Sequence, residues 1–140
     1  MGPAELRMMS ERSIAMIREV FAMFCDVEAE PDSMARFFTP DYRQSVDGRT
    51  VDLHGFLGHV QALRAALVSI EIDIQQIVSD GVSAATVHLV RVVRRSGEKA
   101  TIKVVAFYRF DGDRIAAIDE LTHVLEGRAG DEELGSMPSE

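Results

Sequence analysis

The chain has 140 residues, 46% of them apolar, and a formal net charge of −8, which fits one globular domain. The acidic balance argues against a nucleic-acid partner, because phosphate binding needs a basic surface. No apolar run approaches the roughly 18 residues of a membrane span, and Met1–Arg12 mixes polar and apolar residues unlike a secretory signal.

Residues 1–9 are read as a flexible lead into the domain. From Ser10 to Glu28, apolar residues at Ile14, Ile17, Val20, Phe21 and Phe24 have the spacing of one helical face. Ser10 or Ser13 is placed to cap its start, and Pro31 marks its end. Asp32–Phe38 reads as a short second helix limited by Pro40. Tyr42–Asp47 reads as a short strand closed by the turn pair Asp47-Gly48. Val51–Val68 reads as a third helix with Leu53, Phe56, Val60, Leu63 and Leu67 on its buried stripe, weakened intrinsically by Gly55 and Gly58.

Beyond Ser69 the period becomes two. Ile70, Ile72 and Ile74 share one face of a strand, and the phase slips at Gln75-Gln76, which predicts a bulge. Asp80-Gly81, Ser96-Gly97 and Asp111-Gly112-Asp113 then separate three further strands, Val82–Val93, Ala100–Phe110 and Arg114–Leu125. Residues 127–140 read as a flexible acidic tail. Helices first and strands afterwards predict an α+β domain, residues 10–126, with three helices on one face of a strongly bent, mostly antiparallel sheet that encloses an apolar pocket.

The hairpins predict which side chains share a face. A two-residue turn at Ser96-Gly97 pairs Arg91 with Ile102, Leu89 with Val104 and Val87 with Ala106; a three-residue turn at Asp111–Asp113 pairs Val104 with Glu120. One face then carries Val87, Leu89, Arg91, Val104, Ala106, Tyr108, Ile118 and Glu120, and the other carries His88, Val90, Val92, Val105, Phe107, Leu121 and His123. Neither face is decisively the more apolar.

Phe37-Phe38-Thr39-Pro40-Asp41-Tyr42, the helix after it, and Phe107-Tyr108-Arg109-Phe110-Asp111-Gly112-Asp113-Arg114-Ile115 resemble the nuclear transport factor 2-like superfamily over roughly Ser10–Glu126. That superfamily includes SnoaL-like polyketide cyclases, ketosteroid isomerases and limonene-epoxide hydrolases. The resemblance implies a cone-shaped fold and puts the face bearing Glu120 inside. It implies a catalytic carboxylate on the last strand at Glu120, as in the hydrolases and near the acid of the cyclases. The hydrolases' Arg and Asp partners fall at Val87 and Leu89, and their water-holding Tyr and Asn fall at Gln44 and Val46. The isomerases' phenol has no counterpart on the first helix, and their base falls near Val46, beside Asp47.

Glu120 is therefore the first candidate catalyst, because a carboxylate among apolar side chains is desolvated and drawn toward a useful pKa. The alternative is a structural carboxylate paired with Arg91. His59, beside Phe56 and Val60, is the second candidate, facing Glu120 across the pocket, or else a histidine tied down at the margin of an apolar stripe. Tyr42, Gln44 and Tyr108 are expected to supply polar groups that orient a ligand. No metal or other cofactor is expected, since His54 and His59 are five apart and do not share a helical face. The lone Cys25 fits a small core residue in a reducing cytoplasm. The expected ligand is a small apolar organic molecule, with no nucleic acid and no membrane. Apolar residues on the outer sheet face predict a homodimer. Acid–base chemistry of isomerase, cyclase or hydrolase type is one function; a non-catalytic binding or dimerisation module is the other.

Overall fold

A computed structural model describes residues 2–128, 131 and 134. Helix α1 spans Pro3–Cys25, with Pro3 in its first turn, where a missing N–H costs nothing. It starts earlier than Ser10, so residues 3–9, expected to precede it, form its first turns. Ile17 and Val20 are its buried apolar positions, while Ser13 bonds Ser79 Oγ at 2.6 Å. The carbonyls at its far end lack partners in the helix. Arg64 reaches over from the second helix and donates to Met23 O at 2.9 Å and to Ala29 O, capping α1 from outside.

A 3-10 turn, Pro31–Phe37, leads into strand β1, Phe38–Val46. Asp47 and Gly48 both take positive φ, 52° and 86°, and return the chain as β2, Arg49–Asp52. This strand was not expected; it replaces the first turn of the predicted third helix. Asp52 accepts from Gly55 N at 2.8 Å, so the N-cap lies there and α2 runs Leu53–Ala66. Phe56, Val60 and Leu63 bury its stripe against the sheet.

Four long strands follow: β3 Leu67–Ser79, β4 Ser83–Arg94, β5 Lys99–Asp111 and β6 Arg114–Glu126. The sheet order is β2-β1-β6-β5-β4-β3. Every neighbouring pair is antiparallel except β1 and β6, which run parallel. The expected bulge is present, as a register shift between Ile74 and Gln76, and it helps bend the sheet round the helices.

One register differs from expectation, and the consequence is large. Val93 pairs with Lys99, Arg94 N donates to Glu98 O at 2.8 Å, and Gly97 has φ of 90°. The loop is therefore the three residues Arg95–Gly97, with glycine in the left-handed position that such loops require. One residue more than a two-residue turn reverses the facing of the whole of β4. Val87, Leu89 and Arg91 point away from the helices, while Thr86, His88 and Val92 are buried beneath them. The β5–β6 register shifts by two residues, Ala106 pairing with Glu120 in place of Val104, which leaves the facing unchanged.

Of the tail expected to be flexible, most lies outside the described residues. Asp131 is buried and accepts from Arg94 and from Arg128 N, and Leu134 packs into the core.

Candidate functional site

The helices and the inner sheet face enclose a cavity of about 100 Å³. Its wall is mostly aliphatic and aromatic, with Phe21, Phe24 and Phe56 contributed by the helices and Ile102, Val104 and Ile118 by the sheet. Among the described residues, five with polar side chains line it: Gln44, His59, His88, Glu120 and Thr122. An engineered cavity of about 150 Å³ holds one benzene. The space here is of the same order, though smaller.

Glu120 stands on β6 between Val46 of β1 and Ala106 of β5. Its pKa is raised from 4.5 to about 7, first by burial and then by the charges of Asp47 and Asp119. Removing water from a carboxylate penalises its ionised form, and nearby negative charge adds to that. Asp47 is more than a turn residue. Its carboxylate accepts from Thr122 N at 2.8 Å and from the Thr122 hydroxyl, clasping the β1–β2 turn onto β6 beside Glu120.

The expected alternative for Glu120, a salt bridge with Arg91, is overturned by the β4 register. Arg91 lies on the outer face and contacts Asp73 at 3.6 Å. Val87 and Leu89 leave the site for the same reason. Thr86 and His88 take the inward positions instead, next to those that the family resemblance gave to polar partners. His88 had been expected on the outer face.

The remaining expected site residues divide into two groups. Gln44, His59, Val104, Ile118 and Glu120 line the cavity. Tyr42, Ala106 and Tyr108 are buried behind its wall. Tyr42 donates to Gln44 Oε1 at 2.9 Å, which fixes the amide facing the cavity. Burial, and then the negative charge of Glu120, raise the Tyr42 phenol well above its usual value, so it stays protonated and keeps its hydrogen for Gln44.

A second polar chain runs along the inner face of β4 and β5. The Tyr108 hydroxyl lies 2.7 Å from Thr86 Oγ1, which lies 2.9 Å from His88 Nδ1. The His88 ring packs at 4.8 Å from that of Phe21, tilted by 55°. Burial lowers its pKa to about 4, so the imidazole is neutral at neutral pH.

The sequence matches the SnoaL-like domain over residues 11–118. The chain belongs to the SnoaL-like domain family. An uncharacterised protein of Schizosaccharomyces pombe is 50% identical over 129 residues, which is 92% of this chain and 99% of that one. Among solved structures, an LEH-like epoxide hydrolase of M. tuberculosis superposes with a TM-score of 0.70 at 12% identity, covering 81% of this chain and 84% of that one. A candidate polyketide cyclase from Streptomyces antibioticus superposes with a TM-score of 0.67 at 17% identity, covering 77% of this chain and 89% of that one. At such identities the likeness is one of fold. In this SnoaL-like protein the helices and bent sheet form the cone that the sequence predicted. No helix among the described residues is long and apolar enough to cross a membrane.

Proposed function

We propose that this protein binds a small apolar organic molecule, about one ring in size, and moves a proton on it with Glu120. The observation that carries the reading is a carboxylate on the wall of a mostly apolar cavity, where burial draws its pKa up to about 7. A general base is most useful when its pKa lies near the working pH, because it is then both available and strong enough. Gln44, held by Tyr42, and His59 supply polar edges that orient the ligand. The fold's relatives, an epoxide hydrolase and a candidate cyclase among them, make such chemistry an ordinary use of the cone. We assign the protein to a reducing cytoplasm, in keeping with its lone cysteine.

Proton exchange on cyclohexanone in D₂O tests this directly. Glu120 takes an α-proton as the C–H pair moves toward the carbonyl oxygen, and a deuteron returns to carbon from the exchanged carboxyl. Deuterium incorporation is expected to rise with pH through about 7 and to fall by about 100-fold or more in Glu120→Gln. Binding of the ketone with no exchange above buffer would leave a ligand-binding module and remove the enzyme.

A second copy is proposed to cover the outer sheet face. Val105, Phe107 and Leu121 are 49%, 50% and 67% exposed there, with Val105 paired directly to Leu121. Contiguous exposed apolar side chains on a sheet are a usual basis for association.

A further inference from the structure

We propose that His88 is the group that recognises an oxygen of the ligand, presenting a fixed Nε2–H donor to the cavity at the end of the chain Tyr108 to Thr86 to His88. The inference rests on the ligand-binding reading above and names the chemistry its ligand must carry.

The direction of the chain follows from counting hydrogens. Tyr108 is 1% exposed, and Thr86 Oγ1 is the hydrogen-bond partner of its hydroxyl among the described residues. If Thr86 donated to Tyr108, the phenolic hydrogen would be buried without an acceptor, which is costly. Tyr108 therefore donates to Thr86. The single Thr86 hydrogen is then free to go to His88 Nδ1, the hydroxyl's other partner. A nitrogen that accepts carries no proton, so the neutral ring holds its hydrogen on Nε2. Nδ1 is occupied by Thr86, and the ring lines the cavity, so Nε2 is the polar position left to meet a ligand. Phe21 lies against the ring and helps hold its plane.

Thr86 and Glu120 stand on either side of Ala106 in one row across three strands, and His88 lies in the adjoining row with Val104 and Thr122. Two strand spacings of about 4.8 Å separate β4 from β6, which leaves a donor and a base on opposite sides of the cavity. A neutral N–H in an apolar enclosure favours a carbonyl or enol oxygen, whose negative charge grows as a proton leaves the neighbouring carbon. The ligand class is a small cyclic ketone or enone. An unsubstituted hydrocarbon would leave Nε2–H unpaired.

Two measurements test this. In ligand-free protein labelled with ¹⁵N-histidine, two-bond ¹H–¹⁵N correlations at pH 7 should show His88 as the Nε2–H tautomer, shifting toward a mixture in Thr86→Val. The Nδ1–H form or an imidazolium in the wild type would overturn the proposal. Binding of cyclohexanone is then compared with that of methylenecyclohexane, which keeps the shape and loses the oxygen. His88→Leu should weaken cyclohexanone by about tenfold and change methylenecyclohexane by less than about twofold. The same comparison made in a Glu120→Gln background removes proton exchange and should leave the oxygen preference intact, so the two proposals fail separately. Equal effects of His88→Leu on both probes, or no cyclohexanone binding up to its solubility, would count against His88 as the recognising group.

Discussion

Glu120 combines two demands that oppose each other. Its position suits a base, yet the native state must hold a carboxylate where ionisation is penalised. Because its folded pKa of about 7 lies above the ordinary 4.5, the native state binds its proton more tightly than the unfolded chain does. The resulting contribution is complete below pH 4.5 and is lost as pH rises through about 7. A gap of that size corresponds to about 3 kcal/mol. Glu120→Gln removes the penalty. The variant should match the wild type in urea denaturation near pH 4.5 and exceed it by up to about 3 kcal/mol at pH 8. Parallel stability profiles across that range would mean that Glu120 is not buried in the charged form. Such a trade of stability for reactivity is common where a group does chemistry.

At the scale of elements, the turns decide what faces the cavity. Helix faces, the bulge at Gln75 and the approximate boundaries of the last four strands were legible because periodicity and turn residues are local signals, whereas β2 and the start of β1 were not. The facing of β4 was not, because it depends on one residue of loop length, and Ser96-Gly97 suits a two-residue or a three-residue connection. Thr86 and His88 were missed for that reason alone. The useful signal was Gly97 as the last of three loop residues, its usual place in the longer turn. Glu120 survived because its strand moved by two, which preserves facing. Gly81 and Gly97 permit a controlled test of what else these turns do. Both have φ near 90°, but a Cβ at Gly97 meets open space, whereas one at Gly81 lies 2.6 Å from Met9 Cβ on α1. Gly97→Ala should cost about 1 kcal/mol from backbone strain alone. Gly81→Ala should cost at least about 1 kcal/mol more, since α1 must move or tilt away. Equal denaturation midpoints for the two variants would mean that the first turns of α1 are not held against the β3–β4 hairpin.

At the scale of the molecule, the cone has two apolar surfaces, one enclosed by helices and one open on the outer sheet face. Correction of the β4 register adds Val87 and Leu89 to that outer surface and removes His88, Val90 and Val92 from it. The apolar character is thus kept with different residues. Sedimentation of the wild type should give a dimer at micromolar concentration, and Phe107→Glu with Leu121→Glu should give a folded monomer. A wild type that sediments as a monomer would remove the second copy from the proposal. The sheet order carries one more consequence, for the time at which the site comes into being. Of the six described strands, the one that bears Glu120 is synthesised last, yet it lies between β1 and β5 and touches both. Until it emerges from the ribosome, β1 has only the short β2 to pair with, and the apolar faces of the helices await a floor. The cavity and its acid are therefore completed only once β6 has emerged, and a nascent chain halted before β6 is a natural client for chaperones.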